Sequence, residues 1–335
     1  MRIAHLRVVV AALPAIVACS RKDATTTELN LRLQWVPQAQ FAGFLVASAK
    51  GFYAANRVKV NVLPAGPDLK PHLTVASGSD QIGIAVPNQI LLARSQGVPL
   101  VAIAQVFQSS ANRYVLKRRN AITSLRQLRG RKVGLWTGGD EAEFVAMLRS
   151  AGMTLKDVDV VAQGFSVAPF LRDAYVLSQV TVYNELNQIM REGFPAESLQ
   201  IIAPEEYRAA IPGDVVITTD RYLRENSGVV ERFLAASIQG WAYCSANRQE
   251  CLEIVLKANP ELERVDQEAQ LNAVLELVEG GAAKKFGIGY IDKSAYEIAR
   301  NVLSMSGQLE GAVNVDRTFS LGAWKRATEL ARLPH

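Results

Sequence analysis

A chain of 335 residues is long enough for about two domains. Its 49% apolar and 21% charged composition excludes a disordered or fibrous chain. A net charge of +5 with no Lys/Arg tract excludes a nucleic-acid binder that works through a basic patch.

The first element in chain order is not part of the fold. Arg2 and Arg7 precede the apolar run VVVAALPAIV, Val8 to Val17, too short to span a bilayer but suited to a signal peptide. IVACS follows and resembles a bacterial lipobox, so residues 1–18 are expected to be removed and Cys19 to become the lipidated first residue. Removal of Arg2 and Arg7 lowers the net charge from +5 to +3. Residues 19–28, polar and Thr-rich, read as a tether.

Leu29, Leu31, Leu33 and Trp35 alternate with Asn30, Arg32 and Gln34, the period of a strand. Phe41, Phe44, Leu45 and Ala49 then fall at helical spacing before Gly51, and VKVNVL, Val58 to Leu63, is the next strand. QIGIAV and VPLVAIAQV continue the alternation, with a helix opening at Pro87 and Asn88 between them. A second round starts with RKVGLW, passes through the loop TGGD into a helix, and runs on through VDVVAQ, the segment AYVLSQVTVYNEL and LQIIAP. DVVITT, Asp214 to Thr219, is the last predicted strand, and helices follow to the end. Such alternation implies α/β layers with parallel-rich sheets.

Few residues carry covalent chemistry. His72 is the one histidine away from the signal and the C-terminus, and no H-E-x-x-H, CxxC pair or G-x-S-x-G is present. No metal and no cofactor is expected. Cys244 and Cys251 would stand about 10 Å apart on one continuous helix, too far for a disulfide. A new helix starting at Asn247 would reopen that pairing.

In parallel sheets, ligands collect at the carboxyl ends of strands. The unusual residues stand there: Trp35, Gln38, Gln40 and Phe41 in WVPQAQF, Gly66 in AGPD, Asn88 and Gln89 in PNQ, and Gln108 in QVFQ. In the second round they are Trp136, Gly138, Gly139 and Glu141 in WTGGDE, and Tyr183, Asn184 and Glu185 in TVYNE. An aromatic face buries a flat ring, and nearby amides read its edge. These fifteen residues are the predicted ligand-binding set.

LQWVPQAQFAGFLVASAKGFY, SGSDQIGIAVPNQIL, LRGRKVGLWTGG, TVYNEL and VVERFLAASIQGWAYC together resemble the solute-binding proteins of ABC importers. The nearest group delivers thiamine pyrimidines and riboflavin-type compounds, with alkanesulfonate binders more distant and the yeast thiamine-pyrimidine synthases sharing the fold. The resemblance implies a type II periplasmic-binding fold with a cleft between two lobes, residues 29–111 plus 216–335 and residues 112–215, joined by crossings near 107–118 and 212–219. It implies a monomeric, lipid-anchored extracytoplasmic protein partnered by permease and ATPase subunits, binding a small heteroaromatic ligand and no nucleic acid. Pyrimidine binders of this group tend to carry Asn and His where Gln38, Gln40 and Phe41 stand, which favours a larger or less polar ring. A binder of sulfonates or other small anions, which calls for Arg and Ser at the cleft, and a ligand-sensing receptor subunit are the alternatives. The yeast relatives sacrifice a His and use an iron-associated Cys-rich motif; this chain has no Cys-rich run, and a non-enzyme is expected.

Overall fold

The structure, a computed structural model, describes residues 26–66, 68–137 and 139–332. The signal segment, Cys19 and Gly138 lie outside the described residues. The first round comprises β1 (Thr27–Arg32), α1 (Ala42–Ala49), α2 (Phe52–Ala55), β2 (Val58–Leu63), α3 (Pro71–Ser77), β3 (Ile82–Ala85), α4 (Pro87–Ser95) and β4 (Leu100–Gln105). The second comprises β5 (Asn112–Lys117), β6 (Lys132–Leu135), α5 (Ala142–Ser150), β7 (Asp159–Ala162), α6 (Ala168–Leu171), β8 (Leu177–Thr181), α7 (Glu185–Arg191) and β9 (Leu199–Ile202). After β10 (Val215–Thr219) come α8 (Asp220–Glu225), α9 (Ser227–Ala246), α10 (Arg248–Ala258), α11 (Arg264–Glu279), α12 (Ala283–Phe286), α13 (Lys293–Ser306) and α14 (Leu321–Ala331).

Two five-stranded sheets result, in the orders β2-β1-β3-β10-β4 and β7-β6-β8-β5-β9. In the first, β1 runs parallel to β2 and β3, and β10 runs antiparallel to β3 and β4. In the second, β6 runs parallel to β7 and β8, and β5 runs antiparallel to β8 and β9. The two antiparallel strands are those that the chain enters by crossing from the other sheet. Their paths lie side by side: Val106 and Phe107 donate backbone hydrogen bonds to the Asp214 carbonyl at 2.8 and 3.1 Å, and Gly213 donates to Ser109 at 3.1 Å. The Gln105 amide adds bonds to the carbonyls of Phe107, Gly213 and Asp214.

Alternation in β1 places Leu29 and Leu31 in the core with Phe44, Val46, Phe233, Leu234 and Trp241. α1 is buried at every position from Ala42 to Ala47, so it carries no polar face and sits inside the layer. The contact with α9 is made by small residues: a Cβ on Gly240 would stand 2.0 Å from the Gly43 carbonyl oxygen, and one on Gly43 would overlap the Trp241 ring. The C-terminal helices do not all cover the first sheet. Ala299, Val302 and Leu303 of α13 share a core with Leu91 of α4 and with Phe144, Met147 and Leu148 of α5, so α13 spans both halves.

α9 ends at Ala246 and α10 begins at Arg248, with Asn247 at φ −134° and ψ 55° between them. This break brings the Cα atoms of Cys244 and Cys251 to 5.1 Å, and the two form a disulfide. The helix restart at Asn247 decides the pairing that spacing left open.

Replacing Gly240 by Ala is expected to destabilise the protein by about 1–3 kcal/mol through overpacking. Gly228→Ala, at an exposed position of the same helix, is expected to be within about 0.5 kcal/mol of neutral or stabilising. Urea unfolding followed by circular dichroism compares the two; equal midpoints would contradict the close crossing of α1 and α9.

Candidate functional site

Loops at the carboxyl ends of the parallel strands, together with the two crossings, enclose a cleft of about 420 Å³ between the sheets. That volume suits a small organic ligand. The first half contributes Trp35, Gln38 and Gln40 after β1, Gly66 after β2, and Asn88 and Gln89 at the start of α4. The second half contributes Trp136 and Gly139 after β6, and Tyr183, Asn184 and Glu185 after β8. Eleven of the fifteen predicted residues therefore meet on one cleft.

Four do not. Gly138 lies outside the described residues. Phe41 is a correction: it is fully buried in the first core, because the short 3-10 turn Ala39–Phe41 rotates it inward behind the two amides. Gln108 is a second correction, since its amide bonds the carbonyls of Gln105 and Tyr290 and ties the first crossing to the C-terminal helices. Glu141 is a third, because its carboxylate accepts from Gly139 N at 2.9 Å and from Gln308, bracing the loop from behind.

The loop after β1 is held by groups distant in sequence. The Gln267 and Gln270 side chains of α11 accept from the backbone N–H of Ala39 and Gln40 at 2.8 and 3.1 Å, and Asn259 donates to the Pro37 carbonyl at 3.1 Å. Inside the loop, Gln38 Nε2 donates to Gln40 Oε1 at 2.8 Å, and Gln40 Nε2 donates to Asp214 Oδ2 at 2.8 Å. Trp35 stands over the mouth, its ring centroid 4.7 Å from that of Phe165 in the loop after β7. Phe165 is itself 53% exposed. Across the cleft the Trp136 indole N–H donates to the Gly164 carbonyl, and Trp136 N donates to Gln179. Glu185 is committed internally: it accepts from Thr181 N, Thr181 Oγ1 and Asn184 Nδ2 at 3.0, 2.6 and 2.7 Å.

Sequence reasoning singled out Glu185 but missed the other acids of the cleft. Four carboxylates line the cleft, Asp140, Glu143, Glu185 and Asp214, and Lys70 is the one basic side chain on its wall among the described residues. Burial pushes Asp214 up to about 7, with the Gln40 amide opposing that rise. Burial likewise pushes Glu143 up to about 7, although three donors surround it. Those donors are Ile211 N at 2.6 Å, Asn112 Nδ2 at 2.8 Å and Ser110 Oγ at 3.1 Å. One carboxylate on α5 thus grips both crossings. Burial also raises Asp140, with Lys70 opposing. No local motif marks Glu143 or Asp214; only the pairing of the crossings makes them a site. Among the described residues no group of three or more His, Cys, Asp or Glu is placed to hold a metal ion.

Aromatic faces, amides and buried acids converge on this cleft, an arrangement suited to holding a small organic ligand. Comparison with known proteins agrees with this architecture. Residues 38–251 match the family described as "NMT1/THI5 like". The riboflavin-binding protein RibY of Chloroflexus aurantiacus is 25% identical over 92% of this chain and 90% of its own. The formylaminopyrimidine-binding protein of Halalkalibacterium halodurans is 25% identical over 91% of this chain and 94% of its own. The crystal structure of the periplasmic aliphatic sulphonate binding protein SsuA from Escherichia coli superposes with a TM-score of 0.69 at 13% identity, covering 87% and 91% of the two chains. The fold is therefore that of the periplasmic binding proteins.

Asp214 and Glu143 give a stability signature whose sign is fixed. Both folded-state values lie above the ordinary carboxylate range, so the native state keeps protons that the unfolded chain has released. Their contribution favours the folded state at low pH and is lost as pH rises from about 4 to about 7, then stays level. Relative to the double variant Asp214→Asn, Glu143→Gln, the wild type is expected to lose stability across that window. Urea midpoints measured from pH 5 to 8 test it; parallel curves for the two proteins would show that these carboxyls ionise as in the unfolded chain.

Proposed function

The chain belongs to the NMT1/THI5 like family, and from that premise we propose that it is the solute-binding component of an ABC importer. It captures a small planar heteroaromatic compound, riboflavin-like or thiamine-pyrimidine-like, between lobes of residues 29–111 plus 216–335 and 112–215, and delivers it to a permease with its ATPase. It does so as a binder, not an enzyme, on the extracytoplasmic side and anchored to the membrane through a lipid on Cys19.

The observation that carries this reading is the cleft itself. Trp35 and Trp136 come from opposite halves, with the amides of Gln38, Gln40 and Asn88 between them. A flat ring stacks on such faces while its polar edge meets the amides. Relatives named for binding riboflavin and formylaminopyrimidine, matched along nearly their whole length, support a ligand of that kind. Lys70 is the one basic side chain on the cleft wall among the described residues, so a sulfonate or other small anion desolvated there would find little cationic pairing.

Trp35→Ala is expected to weaken binding of riboflavin, or of whichever heterocycle denatured protein releases, by about tenfold or more. Flavin fluorescence quenching or calorimetry measures it, with circular dichroism confirming the fold; unchanged affinity in folded protein would make Trp35 a structural aromatic. For the anchor, Cys19→Ala should abolish metabolic labelling with a fatty acid and move the protein out of the membrane fraction. Membrane retention without Cys19 would contradict lipidation there.

A further inference from the structure

Gln38 and Gln40 of the loop after β1 form a directed chain of hydrogen bonds with Asp214, the residue before β10. An ionised carboxylate only accepts. Asp214 therefore obliges Gln40 to turn its NH2 group inward, at 2.8 Å, which leaves the Gln40 oxygen to accept from Gln38 Nε2, also at 2.8 Å. All three side chains are buried, and all three line the cleft. The direction of the chain leaves the Gln38 amide oxygen without a protein donor. Gln34 lines the same cleft, and its Oε1 is buried with no hydrogen-bond partner. A buried acceptor left unpaired is costly, so Gln34 Oε1 calls for a donor from the occupant, and the Gln38 oxygen offers that occupant a second acceptor.

We propose that Asp214 is a positioning residue that sets the hydrogen-bond polarity of the cleft, turning the Gln38 oxygen toward the ligand so that the site selects a ring edge bearing an N–H donor. This rests on the reading of the ligand as a planar heterocycle and specifies which edge of it is read: a lactam N–H or an amino group, not an edge of acceptors alone. It also makes the selection reversible by a proton. A neutral Asp214 donates its O–H to Gln40, both amides rotate, and Gln38 then offers N–H in place of oxygen. No bond is made or broken beyond the proton that Asp214 takes from solvent.

One titratable neighbour shares this window, since burial pushes Glu143 up to about 7 as well, and the Asp214→Asn variant, which keeps Glu143, separates the two. Tyr183 faces Asp214; burial first, and then Asp214 and Glu185, keep its phenol protonated. Glu143 is saturated by donors from the two crossings, and Glu185 by Thr181 and Asn184. Asp140, raised by burial, is opposed in that rise by Lys70 across the cleft. Gln105 bonds the Asp214 carbonyl and not its carboxyl. Asp214 itself, raised by burial to about 7, changes charge in the neutral range.

The test has one arm that needs no ligand. In 15N-labelled protein, the side-chain amide signals of Gln38 and Gln40 are expected to shift together between about pH 8.5 and 5.5, and to stay fixed in Asp214→Asn. A Gln38 signal that ignores pH, or one that moves equally in Asp214→Asn, would overturn the relay. The second arm compares riboflavin with N3-methylriboflavin, which lacks the lactam N–H. At about pH 8.5 the wild type is expected to prefer riboflavin by about tenfold or more, the penalty of an unpaired buried acceptor. That preference should shrink at about pH 5.5, where any steric effect of the methyl group is the same. A preference equal at both pH values, or greater at low pH, would overturn the polarity. If neither flavin binds while the amides still titrate together, the flavin reading of the ligand fails and the relay stands.

Discussion

The architecture depends on two segments of backbone passing side by side between the sheets. Val106, Phe107 and Ser109 of one segment are bonded to Gly213 and Asp214 of the other, and the Gln105 amide bridges three of the carbonyls. Because each segment feeds a strand into the opposite sheet, β5 and β10 run against their neighbours, and every other strand end points its loop at the space between. Glu143 then fastens the pair to α5 through Ser110, Asn112 and Ile211. The carboxyl that fastens the two crossings is therefore also part of the cleft wall.

The same economy of position explains the chemistry of the cleft. Asp214 contributes its carbonyl to the crossing and its carboxylate to the amide relay. A residue that both holds the crossing backbone and orients Gln40 joins the meeting of the two halves to the cleft wall. The abundance of acceptors matches a ligand that arrives with its own donors. It also explains how so many carboxyls tolerate burial: Glu143 and Glu185 are met by protein N–H and O–H groups, while Asp214 is met by one amide and a raised proton affinity.

Much of this was legible in the residues. A strand of period two that ends in Trp35 and runs into Pro37 and two glutamines announces a loop built for something other than a turn, and Trp136, Tyr183 and Asn184 occupy equivalent strand ends. Phe41 misled because an aromatic next to two amides looks like part of the same surface, whereas the turn from Ala39 points it into the core. Asp214 was invisible for a different reason: it opens an ordinary strand, and its partner Gln40 lies 174 residues earlier. Gln267 and Gln270 sit in a helix that carries no local sign of a site, yet they are buried and support the loop backbone. Phe165 lies in a loop with no periodicity at all and gains meaning only from Trp35 opposite. Long-range pairings, not propensities, account for each omission.

The corner between α9 and α10 has a further consequence. The bridge from Cys244 to Cys251 closes only a short loop, so it removes little freedom from the unfolded chain and serves mainly to fix the direction in which α10 leaves α9. At the far end of α10 stands Asn259, whose amide holds the Pro37 carbonyl in the loop beneath Trp35. The disulfide is thereby linked, through one helix, to the loop that carries Trp35, Gln38 and Gln40 at the cleft. A molecule that folded among reducing agents would carry the same residues and the same sheets, with a recognition loop less firmly set.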